Sequence, residues 1–332
     1  MPLIRIANGP QFEAQPGETV LAAALRAGVA LAYSCRTGRC STCRCTIESG
    51  ESVAVADETG LEPADRAGGA VLACVRTATS DLVLGDVQLN DQSLPAAQTL
   101  PCRIDSLKRA APDVLVVRLR LPPSVNFVFK PGQFIELIAP GGQRRSYSLA
   151  CAYAQDLHLE LHVRAVAGGS LSDYWFARAQ VNDLLRLHGP LGSFVLRPDV
   201  AGKPLVFLAT GTGIAPVKAM VDSLTHWPQA QRPGPVTVYW GGRTPADLYT
   251  DIAACAAVSR FVPVLSRADD SWQGVRGYVQ QALLDDAPDL TQLQVYACGS
   301  SAMVRSAQQR LLAAGLPANQ FHADAFVCTA AA

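Results

Sequence analysis

The period of hydrophobic and polar positions changes along the chain and divides it into three blocks. In the first, residues 1–93, PLIRIA and QFEAQ predict short strands. PGETVLAAALRAG predicts a helix, because Ala and Leu favour it and Gly28 stops it. YSCRTGRCSTC holds too much Cys, Gly, Ser and Thr for a regular element. RCTIESG follows as a strand, and EPADRAGGAVLAC as a helix leading to Cys74. LNDQSLPAAQTLP, polar and proline-bearing, predicts a linker. In the second block, residues 100–200, Leu115, Val117, Leu119 and Leu121 alternate with Val116, Arg118 and Arg120, which predicts a strand with one buried face. GQFIELIAP, RRSYSLA and LHLELHVRAV are further strands and LSDYWFARA a short helix, so this block predicts an antiparallel β-barrel. The third block, residues 201–332, alternates strand and helix. KPLVFLATGTGIAPVKAMVDSL reads strand, Gly turn, helix. VTVYWGG, FVPVLS and LQVYACGS read as strands, and PADLYTDIAACA, VRGYVQQALLDD and SAMVRSAQQRLLAAG as helices. That alternation predicts a parallel sheet with helices on both faces. No internal repeat and no low-complexity tract interrupt it before the AAA terminus.

Composition changes little in this picture. The 332 residues are 49% hydrophobic and 17% charged with a formal net charge of +0, so several cores can form and no global basic field attracts nucleic acid or an anionic membrane. No apolar run is long enough to span a bilayer, and the N-terminus lacks the basic start and apolar core of a signal peptide. The expectation is a soluble, cytoplasmic protein.

The ten cysteines change it more. Three fall within CRTGRCSTC, and Cys35-x4-Cys40-x2-Cys43 followed by Cys74 is the plant-type [2Fe–2S] ligand spacing. Two bridged irons need four soft thiolates; a tight loop supplies three, and a distant segment must supply the fourth. Zinc sites favour two Cys-x2-Cys knuckles, and one such step is present. A Cys40–Cys43 dithiol leaves Cys35 unexplained. Cys45 is read as a non-ligand, and Cys102, Cys151 and Cys255 as small buried hydrophobes.

Arg145-Ser146-Tyr147-Ser148 follows a Gly turn at a strand end, with a guanidinium suited to phosphate and an aromatic face suited to a planar ring. Gly168-Gly169-Ser170-Leu171-Ser172 precedes a short helix, where N–H groups and hydroxyls suit a pyrophosphate or simply cap the helix. Ala209-Thr210-Gly211-Thr212-Gly213-Ile214-Ala215-Pro216 follows a buried strand and opens a helix, a place for a diphosphate. Tyr296-Ala297-Cys298-Gly299 ends a later strand. Together these segments resemble, in order and across nearly the whole chain, the ferredoxin–NADP reductase superfamily of [2Fe–2S]/FAD oxygenase-reductase type. GQRRSYSLA, GTGIAPVKAM, VYACGS and DAFV look especially like the CDP-6-deoxy-glucoseen reductases of deoxysugar synthesis, and the terephthalate-type dioxygenase reductase components carry similar stretches. Ser41 stands where many members have Gly.

The resemblance implies a β-grasp ferredoxin domain, an antiparallel FAD-binding β-barrel and a parallel-sheet nicotinamide-binding domain. It implies that Arg145 meets the flavin pyrophosphate, Tyr147 packs on the isoalloxazine and Ser148 bonds near its reactive nitrogen. Backbone at Val163, with Arg164, gives secondary flavin contacts. Gly169 to Ser172 would hold phosphate, and Thr210, Gly211, Thr212, Gly213 and Pro216 the nicotinamide cofactor. Cys298 and Gly299 lie beside the nicotinamide, and Phe326, with Asp324 near it, beside the flavin. Ser266, Arg267, Arg276 and Tyr278 resemble the pattern around an adenosine 2′-phosphate, although Asp269 and Asp270 between them suit a ribose hydroxyl. NADPH is therefore the expected donor, with some NADH use. The implied activity passes electrons from NAD(P)H through FAD to the cluster and on to a partner protein. That partner is a terminal oxygenase of an aromatic-ring (Rieske-type) system or, as the alternative, the dehydratase partner of a CDP-6-deoxy-glucoseen reductase. Arg36 and Arg39 would face it. A redox-sensing regulator would need a DNA- or protein-binding module, and no basic recognition helix is found; a passive carrier leaves the last two blocks idle.

Overall fold

Three larger sheets, of five, six and six strands, organise the described residues. The computed structural model describes all residues except 91–93, 140, 154–156 and 328–332, and of Ser170 only the backbone. Part of the expected linker and the AAA terminus thus lie outside the described residues. The chain divides into two compact units, one of Met1–Leu94 with Gly192–Arg197, the other of Pro95–Leu191 with Pro198–Ala332.

The first unit runs β1 Leu3–Ile6, β2 Gln11–Glu13, α1 Val20–Arg26, β3 Arg44–Ser49, β4 Ser52–Ala54, α2 Pro63–Ala67, β5 Ala70–Leu72, β6 Arg76–Ala78 and β7 Leu82–Gly85. Thr19 caps α1 by accepting from Ala22 N at 3.2 Å, and Val20, Leu21, Ala23 and Ala24 turn to the core. They meet Ile4, Phe12, Leu72, Leu82 and Leu84 from a five-stranded mixed sheet of order β2-β1-β7-β3-β5, in which only β1 and β7 are parallel. β4 and β6 pair apart from it. The helix expected over EPADRAGGAVLAC is shorter than predicted. Gly68 and Gly69 end α2, Gly69 with φ +77°, and AVL then forms β5 before a 3-10 turn at Ala73–Val75. Segment 192–197 joins this unit through side chains: Ser193 Oγ accepts from Tyr33 N at 2.7 Å, and Arg197 donates to Leu89 O at 2.9 Å.

The second unit opens with an antiparallel barrel: β8 Gln98–Ala111, β9 Val114–Arg120, β10 Phe134–Ile138, β11 Arg144–Ser148, β12 His158–Arg164 and β13 Leu184–Leu191. The order is β11-β10-β13-β8-β9-β12, and a bridge between Leu149 and Leu161 brings its two edges together. Leu115, Val117, Leu119 and Leu121 are buried as their alternation predicts, against Ile104, Leu137, Leu161 and Trp175. β8 is the longest strand and takes in the end of the expected linker. Its pattern is broken by bulges at Ile104–Ser106 and Arg109–Ala111, which hides the strand period. Between β12 and β13, α3 Ser170–Asp173 runs into a π-helical turn, Tyr174–Arg178.

The remainder is a six-stranded sheet, parallel throughout: β14 Leu205–Thr210, α4 Ile214–Leu224, β15 Val236–Gly242, β16 Arg260–Leu265, β17 Val275–Arg276, α5 Val279–Asp285, β18 Gln294–Ser300, α6 Ser301–Ala313 and β19 Phe321–Phe326. The helix expected over PADLYTDIAACA does not form; only a 3-10 turn at Pro245–Asp247 does. Leu248 leaves helical geometry at φ −94°, ψ 67°. Asp247 turns its carboxylate back to Arg243 N and Thr244 N, at 2.8 and 3.0 Å. Strand order is β17-β16-β15-β14-β18-β19. The chain therefore lays strands to one side of β14 and then returns to the other, which opens a crevice at the carboxyl ends of β14 and β18.

Candidate functional site

The four cysteines of the first unit come together in pairs. Cys35 and Cys40 share a thiol hydrogen bond, and so do Cys43 and Cys74. The Cys40 thiol lowers the pKa of Cys35, and the Cys43 thiol that of Cys74, while the other member of each pair is pushed well up by its partner and by burial. Backbone N–H groups also reach the sulfurs: Cys35 N lies 3.4 Å from Cys40 Sγ, and Thr37 N 3.4 Å from Cys35 Sγ. The loop is held open by left-handed backbone at Arg36, Gly38 and Ser41. Gly38 is required there, since a Cβ would stand 2.2 Å from Asp57 O. Ser41, with φ +63°, adopts the conformation a Gly would take and donates its hydroxyl to Gly60 O. Among the described residues no three His, Cys, Asp or Glu side chains gather as a single ion would need. Four thiols at this spacing fit a two-iron cluster. Cys45 is buried apart from these pairs, its thiol raised to about 12 by burial and by the Glu58 carboxylate. Arg36 and Arg39 lie exposed on the same loop.

In the barrel, alternation along β11 places Arg145 and Tyr147 on one face and Ser146 and Ser148 on the other. Arg144 pairs with Glu136 at 3.1 Å. The Arg145 guanidinium meets only Arg144 O, at 2.9 Å, so no carboxylate neutralises it among the described residues. The Tyr147 hydroxyl accepts from Trp175 Nε1 at 3.0 Å, and the two rings meet edge to face with centroids 6.2 Å apart. Burial pushes Tyr147 up to about 12, so it stays neutral. Ser146 is exposed, and Ser148 is buried at the strand end. The Gly168–Ser172 loop closes on itself: Ser172 Oγ accepts from Val166 N at 2.8 Å, and Gly169 N donates to Val166 O at 3.0 Å. Leu171 is buried in support, and α3 starts at Ser170, where opening N–H groups have no preceding carbonyl. Val163 is buried in the barrel core and offers only its backbone. Arg164 is spent elsewhere, on Asp113 at 2.8 Å and Asp247 at 2.9 Å.

At the crevice, β14 leads through Thr210 into Gly211–Gly213 and α4. A Cβ on Gly213 would stand 2.3 Å from Cys298 O, and one on Gly299, φ +138°, 2.2 Å from Thr210 Oγ1. Thr210 Oγ1 accepts from Ser300 N at 3.1 Å. The two predicted segments are thus brought together by residues without side chains. Thr212 is half-exposed, and Pro216 is buried in the first turn of α4, where it lacks only an N–H that has no intrahelical partner. Cys298 is fully buried, and burial with the neighbouring Asp324 pushes its thiol well up. Asp324 pairs with it in register between β18 and β19. Phe326 ends β19 opposite Ser300, its carbonyl held by Ser301 Oγ at 3.0 Å.

At the carboxyl end of β16, Ser266, Arg267, Arg276 and Tyr278 are all exposed. Arg276 closes the 268–272 loop, donating to the carbonyls of Ala268, Asp269 and Trp272 at 3.0, 2.7 and 3.2 Å. Arg267 makes no ion pair among the described residues. Asp269 turns to Ser271 N at 3.0 Å.

Sequence reasoning missed three supporting residues. Trp175 locks Tyr147, Trp240 donates to Gly211 O at 3.0 Å, and Asp247 ties Arg164 to the β15 end. The buried aromatic pair in VTVYWGG was a signal for Trp240; Asp247 gave none.

Three family descriptions match the chain: a 2Fe-2S iron-sulfur cluster binding domain over residues 6–79, an oxidoreductase FAD-binding domain over 101–196 and an oxidoreductase NAD-binding domain over 207–309. The chain is 40% identical over 324 residues, 96% of each protein, to the CDP-6-deoxy-L-threo-D-glycero-4-hexulose-3-dehydrase reductase of Yersinia pseudotuberculosis. It is 34% identical to the terephthalate 1,2-dioxygenase reductase component 2 of a Comamonas species, over 95% of this chain and 94% of that one. Among solved structures, the cytochrome P450 reductase GcoB of Amycolatopsis aligns over 99% of this chain and 100% of its own, with a TM-score of 0.77 and 32% identity.

Proposed function

The chain belongs to the iron–sulfur flavoprotein reductases, NAD(P)H:acceptor oxidoreductases built from a [2Fe–2S] domain, an FAD domain and a nicotinamide domain, and from that premise we propose that it delivers electrons from NADPH to the oxygenase component of an aromatic-ring (Rieske-type) system. When bound, FAD and the cluster supply the conversion from a two-electron donor to single electrons. The chain's residues hold and orient these groups. Cys35, Cys40, Cys43 and Cys74 hold the cluster; the loop that turns backbone N–H groups onto the Cys40 and Cys35 sulfurs, at 3.4 Å each, is the observation that carries the reading. Arg145 and the α3 start meet the flavin phosphates, and Tyr147, steadied by Trp175, covers its ring. Ser148 and Phe326 lie at strand ends beside it. Thr210 to Gly213, with Cys298 and Gly299, receive the nicotinamide, and Arg267 with Ser266 and Tyr278 favours the 2′-phosphate of NADPH. A cytoplasmic location belongs to this reading, since NADPH and free thiols suit a reducing compartment. Among the described residues no helix is long and apolar enough to cross a membrane.

The 40% identity to a dehydrase reductase favours a second acceptor, the dehydratase of a deoxysugar pathway. Coupled assays separate the two: NADPH oxidation dependent on an oxygenase component supports the first, and dependence on a CDP-hexulose dehydratase supports the second. Arg39→Glu should slow reduction of the acceptor and leave NADPH-to-ferricyanide turnover unchanged. Equal slowing of both refutes a docking role for that loop.

A further inference from the structure

Glu58 is a buried carboxylate in the first unit, 8% exposed, that no ligand or cofactor reading uses. Its Oε1 accepts from Leu72 N at 2.7 Å and from Arg76 Nε at 3.1 Å, and its Oε2 accepts from Arg76 Nη2 at 2.5 Å. Leu72 stands two residues before Cys74 and Arg76 two after it, so one carboxylate grips the chain on both sides of that cysteine. The pair is strongly ionic. Burial alone would raise the Glu58 pKa, but Arg76 and the Leu72 N–H outweigh it and hold the carboxyl below its ordinary value.

The backbone around Glu58 packs on the loop that carries the other three cysteines. Gly60 N donates to Gly38 O at 2.8 Å, and Ser41 Oγ donates to Gly60 O. A Cβ on Gly60 would stand 2.8 Å from Arg39 C, and one on Gly38 2.2 Å from Asp57 O, so neither contact has slack. Arg66 Nη2 fixes Glu58 O at 2.5 Å. Segment 57–60 therefore lies between the loop with Cys35, Cys40 and Cys43 and the turn with Cys74, and the Glu58 side chain is the part that spans them.

We propose that Glu58 is the positioning residue of the cluster site: through Leu72 and Arg76 it fixes Cys74 relative to the other three cysteines, and so governs how firmly a cluster is retained and at what potential it is reduced. The proposal rests on reading those four cysteines as the ligands. A cluster imposes a fixed separation on thiolates from two distant segments, and groups that orient ligands from behind change retention without touching the metal.

The test compares wild-type holoprotein with Glu58→Gln and Arg76→Lys. Glu58→Gln keeps an acceptor for Leu72 N and loses the charge facing Arg76; Arg76→Lys keeps the charge and loses the two-pronged contact. The readouts are iron and sulfide content, the half-life of the cluster absorbance in a chelator, the midpoint potential and the EPR spectrum of the reduced cluster. NADPH-to-ferricyanide turnover reports the flavin separately. Glu58→Gln should lose its cluster about tenfold faster than wild type, with Arg76→Lys between them. The midpoint potential should shift, and ferricyanide turnover should hold. Unchanged half-life, potential and EPR spectrum in both variants overturn the positioning role alone. Wild-type protein that binds no iron and sulfide overturns the ligand reading, and the positioning role with it.

Discussion

Gly213 lies so close to Cys298 that a Cβ on it would stand 2.3 Å from the Cys298 carbonyl oxygen and 2.7 Å from Gly299 Cα. The backbone of Gly213 is ordinary, at φ −60° and ψ −12°, so conformational freedom is not what the position requires. It requires the absence of a side chain, which lets the β14 and β18 ends meet. Gly213→Ala should push these loops apart at a cost of about 1–3 kcal/mol and displace the bound nicotinamide. Flavin reduction by NADPH should slow about a hundredfold while FAD content stays constant. Stopped-flow absorbance checks this, and an unchanged rate would remove the crevice from the account.

Trp175 donates to the Tyr147 hydroxyl and fixes a ring that faces the flavin on the proposed reading. Trp175→Phe removes the donor and leaves a half-buried hydroxyl unpaired. The expected loss is about 1 kcal/mol in FAD binding, roughly a fivefold weaker Kd. Fluorescence titration of the FAD-stripped protein measures it; Tyr147→Phe should cost about as much, since it leaves the buried Trp175 N–H without its acceptor.

Asp247 predicts an acid-dependent tie between the barrel and the parallel sheet. Burial alone would raise its pKa, but the N–H groups of Thr244 and Arg243 and the charges of Arg164 and Arg243 outweigh this and hold it below the ordinary aspartate value of 3.8. A depressed carboxylate adds stability that is complete above that ordinary value and is lost as pH falls through the lowered one. Asp247→Asn should therefore cost about 1–2 kcal/mol at pH 7, a gap that narrows below about pH 4. Urea unfolding at neutral and acid pH reads the gap; a constant difference across the range would contradict it.

The two arginines of the cofactor-preference pattern should part company. Arg267→Ala should lower kcat/KM for NADPH about tenfold and leave NADH nearly untouched. Arg276→Ala should release the 268–272 loop, which it holds by three carbonyls, and weaken both donors alike. Steady-state kinetics with the two donors distinguishes them.

What the sequence revealed depended on how local the signal was. The cysteine spacing, the GTG turn and the alternation from Leu115 to Leu121 are written in consecutive residues, and each marked its element. The helix expected after Pro245 failed because Asp247 uses its carboxylate on two backbone N–H groups and on Arg164, a residue far off in the chain. β8 was hidden because bulges break its period. Arg164 and Arg276 read in sequence as candidate cofactor contacts, and the fold adds that Asp113 and Asp247 pair with the first and three carbonyls accept from the second. The role of Glu58 depends on contacts with Leu72, Arg76 and the cysteine loop together, so no motif of its own could have announced it.

Anaerobic titration of the purified protein with NADPH, and in parallel with NADH, tests the central claim most directly. The account predicts bleaching in both the flavin and the iron–sulfur bands of the visible spectrum, with NADPH the more effective donor. A colourless protein, or flavin that bleaches while the iron–sulfur bands stay fixed, would contradict it.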